Sequence, residues 1–522
     1  MSASIAGVVA AARRWQRREG ELRAGLSPRA LFALGLLAAA TLYLTQLGRA
    51  SLWYDEAGTT WMAELPLARL VAATAADTHP PLYLLVAAGE QRIFGSQPWA
   101  MRLPSVLFVL AALHLAWLIG RELGLSRAAR LIGLGLLVLS PFELHFAQEA
   151  RMYALFQAEI LLALLGVLRR RWWVTGLALT AALWTHNYAL IYAPVLGALA
   201  FWQEAERPMF VGYDLRRAQW QAPDGGRFRQ LLACFALPAL SFAPWLLVLR
   251  RQMATVAGGY WIQPLTPGSV VYVAYTWLFG FTLPEWLQPT GALVATGLLA
   301  WLVVKVAQVR ERRALVLAWV ALAPLALAVV ASLLWKPILL FRGLAPSVPL
   351  LFLLTGWALG QESRPRRWYG LVLLVPLLAA AVVGHYLWNP QHKDGSQQFA
   401  GEIRAQWQLG DAIVHVNSGT MLEMHQPLAG FPQFMLPRQC PPDLGALSPA
   451  TEDAMGMPIL ATGELAWRRI WFVWSWAPTS TRCEVDAARA FLGKYPGARR
   501  VFAIRNDDYV AANIWLIEGG KP

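Results

Sequence analysis

The sequence predicts an all-α polytopic membrane protein, with about 11–13 transmembrane helices and a C-terminal extracytoplasmic α/β domain. Three observations predict it. Hydrophobic residues make up 57% of the 522 and charged residues only 15%, with a mean hydropathy of +0.42; a soluble chain carries about a quarter charged residues. Apolar runs near the length that crosses a bilayer recur through roughly the first 390 residues. Beyond them the composition turns mixed and no run of that length remains. The 26 tryptophans suit interfacial belts, where an amphipathic ring is at home. The net charge of +14 does not point to nucleic acid, because most basic residues stand in short connections between apolar runs, as cytoplasmic anchors do. The expected surroundings are a lipid bilayer, with no nucleic-acid partner.

The elements follow in order. Residues 1–29 form a cytoplasmic segment carrying Arg13, Arg14, Arg17, Arg18 and Arg23. The first span, about 30–48, is too long and uninterrupted for a signal peptide, and no small-residue cleavage site follows it. The positive-inside rule then places the first loop, 49–80, outside. Arg121, Arg127 and Arg130 mark an inner connection, as do Arg169–Arg171, the stretch 204–229 with Arg207, Arg216, Arg217, Arg227 and Arg229, the stretch Lys305 to Arg313, and Arg364 to Arg367. The last span, about 368–388, leads outside. Segment 82–94 is short and carries Glu90 and Arg92; if it crossed fully, alternation would put Arg121–Arg130 outside, against the charge rule. Residues 173–203 read as two short helices turning at Thr185-His186-Asn187-Tyr188. A Pro and Gly cluster from Gly258 to Gly268 (Gly259, Pro264, Pro267) marks an outer loop, and 269–283 reads as re-entrant, which requires a cavity or surrounding protein. No internal repeat of the transporter kind is visible. The organisation is thus 1–29 inside, 30–388 in the membrane and 389–522 outside.

In the last unit, 412–416, 469–474, 500–504 and 513–517 read as strands, and Glu484 to Tyr495 has helical spacing, with Val485, Ala488, Phe491 and Leu492 on one face. Of the 3 cysteines, Cys440 and Cys483 fall here. An oxidising compartment permits a disulfide between them; two unpaired thiols are the other reading. Cys234 lies in a span.

The residues that carry chemistry sit at span edges. Trp53-Tyr54-Asp55-Glu56-Ala57 follows the first span, and Asp77-Thr78-His79-Pro80-Pro81-Leu82-Tyr83 leads into the next apolar run. Ionisable groups at a membrane boundary are costly and usually functional. A carboxylate pair and a histidine near the bilayer surface suit a lipid-anchored substrate. Then come Arg102-Leu103-Pro104-Ser105, Ser140-Pro141-Phe142, Gln148-Glu149-Ala150-Arg151-Met152-Tyr153-Ala154 and Thr185-His186-Asn187-Tyr188.

In their order and spacing, over roughly 30–390, these motifs resemble the GT-C membrane glycosyltransferases, specifically the bacterial branch similar to protein O-mannosyltransferases and the lipid A aminoarabinose transferase. The resemblance implies a GT-C fold in the cell (inner) membrane. It also implies transfer of a sugar, with inversion, from a polyprenyl-phosphate donor to a glycan, lipid or protein acceptor on the outer face. The family's first-loop acidic residue falls on Asp55, the general base. Glu56 orients the acceptor, assists Asp55 or points away; adjacent residues on a regular element do not face the same way. His79 takes the position that faces the carrier phosphate, where some relatives carry Lys, and its charge varies near neutral pH. Arg151, Arg342 and Lys336 are the other candidates for the leaving phosphate, whose developing charge needs such partners in a poorly hydrated site. Tyr54, Tyr83, Gln148, Glu149, Tyr153 and His186 are candidate substrate contacts.

A divalent metal held by Asp55, Glu149 and a histidine is conceivable, although no ligand spacing is diagnostic. His392, His415 and His425 read as structural or solvent-exposed. Trp261, Trp277 and Trp286 read as packing before sugar stacking. Three rival functions remain. A binding or assembly protein whose C-terminal domain does the work would not need about a dozen spans with Asp, Glu and His at their outer edges. A flippase for lipid-linked sugars predicts charges deep in several spans and has no use for the acidic pair. An oligosaccharyltransferase or ligase needs a larger acceptor groove and usually a metal.

Overall fold

The computed structural model describes residues 27–205, 213–214, 219–220, 225–256, 262–387, 395–438, 447–461, 467–476, 482–505 and 511–518. Arg13, Arg14, Arg17, Arg18, Arg23, Arg207, Arg216, Arg217, Gly258, Gly259, Trp261, His392 and Cys440 lie outside them.

Sixteen described helices precede the C-terminal unit. α1 (Pro28–Leu44) starts at Ser27, whose side chain accepts the Ala30 N–H at 3.1 Å, an N-cap satisfying one orphan donor. Three short helices follow: α2 (Tyr54–Glu64), α3 (Leu67–Ala76) and α4 (Leu82–Phe94). Then come α5 (Pro98–Glu122), α6 (Arg127–Val138) with α7 (Pro141–Ala147), α8 (Tyr153–Leu168), α9 (Trp172–Thr185), α10 (Ala189–Ala205), α11 (Gly225–Val256), α12 (Pro267–Phe279), α13 (Gln288–Val309), α14 (Arg312–Leu334), α15 (Ser347–Gln361) and α16 (Arg364–Leu387). Between α10 and α11, β1 (Tyr213–Asp214) pairs antiparallel with β2 (Gln219–Trp220).

Among the described residues, five helices are long and apolar enough to cross a membrane: α5, α11, α13, α14 and α16. The pair α6–α7, bent by 55° where Pro141 interrupts it, makes a sixth. This is below the expected 11–13 because several apolar elements are shorter than a full span. α1, α8, α10 and α15 have 17, 16, 17 and 15 residues. α8 and α15 are buried along nearly their whole length, so their neighbours are mostly protein rather than lipid. The sequence reading of 173–203 as two helices matches α9 and α10. Segment 82–94 is a helix of 13 residues, about 20 Å long, against an apolar thickness of about 30 Å. α12 is equally short, with 13 residues.

Small residues let α6 and α15 touch backbone to backbone. A Cβ at Gly356 would lie 2.3 Å from the Ala129 carbonyl oxygen and 2.7 Å from the Gly133 nitrogen. Only glycine fits there, a contact typical of helices that associate without a hydrophobic drive.

The C-terminal unit is a five-stranded mixed sheet in the order β4-β3-β5-β7-β6. β3 (Asp411–His415) lies parallel to β4 (Gln433–Met435) and to β5 (Arg469–Trp476). β7 (Ala511–Glu518) runs antiparallel to both β5 and β6 (Arg499–Arg505). Alternate residues serve opposite faces. Trp471 and Val473 meet α17 (Gly395–Gln406) through Phe399 and Ile403. Ile470 and Phe472 meet α20 (Arg482–Gly493) through Ala488 and Phe491. Two further helices are α18 (Ser418–His425), whose Met424 packs with the strand residues Ile413 and Trp471, and α19 (Pro449–Met455). Cys483 is disulfide-bonded and Cys234 is free.

These two helices dock the unit onto the first loop. α18 lies on α2: Trp61 stacks on His425 with ring centroids 3.9 Å apart, and His425 Nε2 is 2.8 Å from Glu64 Oε2. α19 lies on α3: the Thr451 hydroxyl donates to the Ala76 carbonyl at 3.1 Å. Met421, Leu422, Met435, Met455 and Met457 join the apolar core of the helical bundle. His415 is structural, as the sequence reading has it: it is fully buried, bonded to Gln433 at 3.0 Å, and burial lowers its pKa to about 4. His425, by contrast, sits in the seam.

Candidate active site

The start of α2 and four connections between helices converge under the docked unit. They carry Asp55, His79, Arg151, His186 and Arg342. Asp55 stands in the first turn of α2, whose start is fixed by its neighbour: Glu56 Oε2 accepts the Trp53 N–H at 3.4 Å, filling the role of an N-cap carboxylate. The Asp55 carboxylate points the other way. Its Oδ2 lies 3.4 Å from Arg342 Nη1 and 3.9 Å from Arg151 Nε. Arg151 is also tied to the backbone that presents Asp55, donating to the Asp55 carbonyl at 3.3 Å and to the Thr59 hydroxyl at 3.2 Å. The side chains of Asp55, Arg151 and Arg342 are 19%, 14% and 21% exposed. A small molecule can reach them, yet their charges are poorly screened.

Two more groups close the cluster. His79, in the connection between α3 and α4, has its ring 5.2 Å from that of His186, and its Nδ1 is buried with no hydrogen-bond partner. Burial, then His186 and the two guanidiniums, hold its pKa well below 6.5. Burial thus favours the neutral imidazole, which offers an anion a hydrogen bond rather than a charge. Asp77 also lies close enough to Arg151 and Asp55 to feel both charges, and burial outweighs Arg151 in raising its pKa. The sequence reading quoted Asp77 but gave it no role.

His186 is 3% exposed, stacked on Phe156 with ring centroids 5.1 Å apart, and its Nδ1 accepts the Tyr188 N–H at 3.0 Å. That bond leaves the proton on Nε2. The guanidinium of Arg342 lies 5.7 Å over the ring of Tyr153. Lys336 is half-buried on the same connection as Arg342, but Asp55 meets Arg151, Arg342 and Thr59, not Lys336.

Four expected site residues are bonded within the protein itself. Glu56 is fully buried. Its two oxygens take Nε and Nη2 of Arg102 at 2.8 and 2.7 Å, and Oε1 also accepts the Ala150 N–H at 2.8 Å. With its lone pairs committed to protein, Glu56 is not offered to an acceptor hydroxyl. Arg102 in turn donates to the carbonyls of Leu47, Ala50 and Ser51 at 3.0, 2.9 and 2.7 Å, so this pair fastens the first loop to α5. Gln148 donates to the carbonyls of Tyr43 and Thr45 at 3.0 and 2.8 Å and meets His385 at 2.9 Å. Glu149 pairs with His145 at 3.1 Å, and its charge still acts on Arg151 and Arg342. Tyr83 is 4% exposed and bonds Ser105, whose hydroxyl donates to the Glu149 carbonyl at 2.6 Å. Tyr54 is half-buried beside Asp55.

The metal set named from sequence does not come together. Asp55 faces two guanidiniums and Glu149 faces His145, and no group of three or more His, Cys, Asp or Glu suited to a metal occurs among the described residues. Trp277 is fully buried, its indole N–H 3.5 Å from the Phe341 carbonyl, and Trp286 is 78% exposed.

The family model described as dolichyl-phosphate-mannose-protein mannosyltransferase matches residues 78–211. ArnT from Cupriavidus metallidurans in the apo state is similar over 92% of this chain and 97% of that one, at 15% identity and a TM-score of 0.57. The same protein bound to undecaprenyl phosphate is similar over 92% and 97%, at 14% identity and a TM-score of 0.54. The Archaeoglobus fulgidus oligosaccharyltransferase in the apo form overlaps 77% of this chain and 64% of that one at 11% identity, with a TM-score of 0.42, too distant to bear on function. No curated protein matches the sequence. The matched segment contains His79, Arg151 and His186; the chain has an ArnT-like fold, running through both the helical bundle and the C-terminal unit, and over residues 78–211 it is similar to the protein mannosyltransferases.

Proposed function

We propose that this protein transfers a sugar, with inversion, from a polyprenyl-phosphate donor to an acceptor hydroxyl on the outer face of the inner membrane. The observation that carries the reading is a partly buried carboxylate, Asp55, set against two arginines at the start of α2. The ArnT structure bound to undecaprenyl phosphate supports a lipid carrier. Topology follows from charge. With α4 and α12 not crossing, the crossings are α1, α5, α6–α7, α8 to α11 and α13 to α16. Arg121, Arg127, Arg130, Arg169–Arg171 and Lys305–Arg313 then all fall inside. The inner end is laced by its own pairs, Arg169 with Glu122 at 2.9 Å and Lys305 with Glu362 at 2.5 Å, and Asp55 and the docked unit fall outside.

In the reaction, the donor phosphate takes Asp55's place as counter-ion to Arg342 and Arg151, with the neutral His79 as a further hydrogen-bond partner. Arg342 can grip a phosphate bidentately. Freed from the arginines, Asp55 accepts the proton of the acceptor hydroxyl. That oxygen bonds to the anomeric carbon as the carbon–phosphate-oxygen bond breaks, and the electron pair leaves on the polyprenyl phosphate. The arginines stabilise the charge that develops there. The C-terminal unit covers the site from outside.

Two experiments separate the roles. Arg342→Ala is expected to raise the KM for the donor at least about tenfold, with little change for the acceptor, because a charge-assisted phosphate contact contributes roughly 1.5–3 kcal/mol; equal effects on both substrates would assign Arg342 to structure. For His79, the folded pKa is lowered, so the imidazole stays neutral until well below its unfolded value of 6.5, and any stability cost of protonating it appears only as pH falls. The pH profile of kcat/KM is therefore expected to keep its shape between about pH 6 and 8 in His79→Gln, at a lower level. A wild-type limb near 6.5 that disappears in the variant would show that His79 titrates during turnover.

A further inference from the structure

The start of α2 is held from two sides. Glu56 takes the Trp53 N–H from within the bundle at 3.4 Å. The next donor, the Tyr54 N–H, is taken by the carboxylate of Glu423, which comes from α18 of the C-terminal unit. Asp55 is the following residue. The contact is not incidental to how α18 lies. Leu422 reaches to 4.0 Å from where a Cβ would stand on Gly58, Met421 and Leu422 are 2% and 1% exposed, and His425 caps the seam on Trp61 and Glu64. A carboxylate at the first turn also suits the positive end of the helix.

We propose that Glu423 is a positioning residue for glycosyl transfer: by holding the Tyr54 N–H it fixes the first turn of α2 and so the stance of the Asp55 carboxylate between Arg151 and Arg342. The C-terminal unit thereby belongs to the catalytic apparatus and does more than cover it. This rests on the reading of Asp55 as the base. Glu423 touches neither substrate nor the reacting atoms; it acts through one backbone bond. Burial in the seam raises its pKa to about 7, and a protonated carboxyl or an amide can accept the same N–H through its carbonyl oxygen.

The test uses full-length protein and steady-state transfer with a polyprenyl-phosphate sugar. Glu423→Ala is expected to lower kcat about tenfold with both KM values nearly unchanged, since small misplacement of a reacting group costs rate rather than affinity. Glu423→Gln is expected to restore most of the loss. The bond itself is isolated by Tyr54→Pro. Proline at the first helical position keeps the helix and removes only the N–H, and Trp53 already has the extended backbone (ψ 172°) that a following proline requires. In a Tyr54→Pro background Glu423→Ala should have no further effect, whereas in Tyr54→Ala it should keep its tenfold effect. Equal effects of Glu423→Ala in both backgrounds, or a lowered Tm with unchanged kcat, would overturn the proposal. Asp55→Asn keeps the two claims apart. If it is inactive while Glu423→Ala runs at full rate, the base stands and the positioning role falls. If Asp55→Asn itself runs at full rate, the base reading falls first.

Discussion

Replacing Asp55 with asparagine is expected to slow transfer by about 10²–10⁴-fold, the contribution of a positioned general base, with the protein folded and its donor still bound. The amide keeps the size of the side chain and can still accept from Arg342 and Arg151 through its oxygen, so the two guanidiniums, 3.4 and 3.9 Å away, are not left wholly unsatisfied. It cannot take a proton. The loss should therefore appear in kcat, with donor affinity unchanged or tighter, because the arginines no longer divide their charge between carboxylate and phosphate. Single-turnover transfer with saturating donor reads this directly. Near-normal turnover in the variant would remove Asp55 from the chemistry.

The second large effect is on stability. Arg102 and Glu56 are 2% and 0% exposed, bonded through two N–H···O contacts. Removing one partner leaves the other charge buried and uncompensated, which costs about 3–5 kcal/mol. Arg102→Ala also strips the carbonyls of Leu47, Ala50 and Ser51 of their donor, so it is expected to be the more damaging of the two. Glu56→Gln keeps the oxygen that takes the Ala150 N–H and should cost less. Thermal unfolding of the detergent-solubilised protein checks the order: wild type, then Glu56→Gln, then Arg102→Ala. If Glu56→Gln left Tm unchanged and abolished transfer, Glu56 would be a reacting group and not the anchor that the geometry makes it.

That contrast between neighbours explains what was legible in the chain. Composition and recurrent apolar runs gave the class, because a bilayer imposes it on every span. The Tyr54-Asp55-Glu56 and Asp77-to-Tyr83 motifs marked the right edge of the bundle. Helix geometry said that Asp55 and Glu56 face apart, but not which way each faces. That is decided by Arg102, 46 residues along the chain, and the signal was present: an arginine near the end of an apolar helix needs a carboxylate. Gln148 and Glu149 read as site residues because they sit beside Arg151. In the structure they turn to α1 and to His145, contacts no local pattern encodes. The strands of the C-terminal unit showed as short apolar runs, except β4, whose three residues are too few to stand out. The docking of α18 onto α2 was invisible for the same reason as Arg102, since it joins residues more than three hundred positions apart.

The central claim is that Asp55 and its two arginines transfer a sugar from a lipid phosphate. The most direct measurement follows label from a radiolabelled polyprenyl-phosphate sugar in proteoliposomes carrying wild type or Asp55→Asn. The account predicts label leaving the lipid carrier for an acceptor with wild type alone, and the labelled product then names the acceptor. Donor bound or moved across the bilayer equally by both proteins, with no label on any acceptor, would contradict it and make the protein a carrier of lipid-linked sugars.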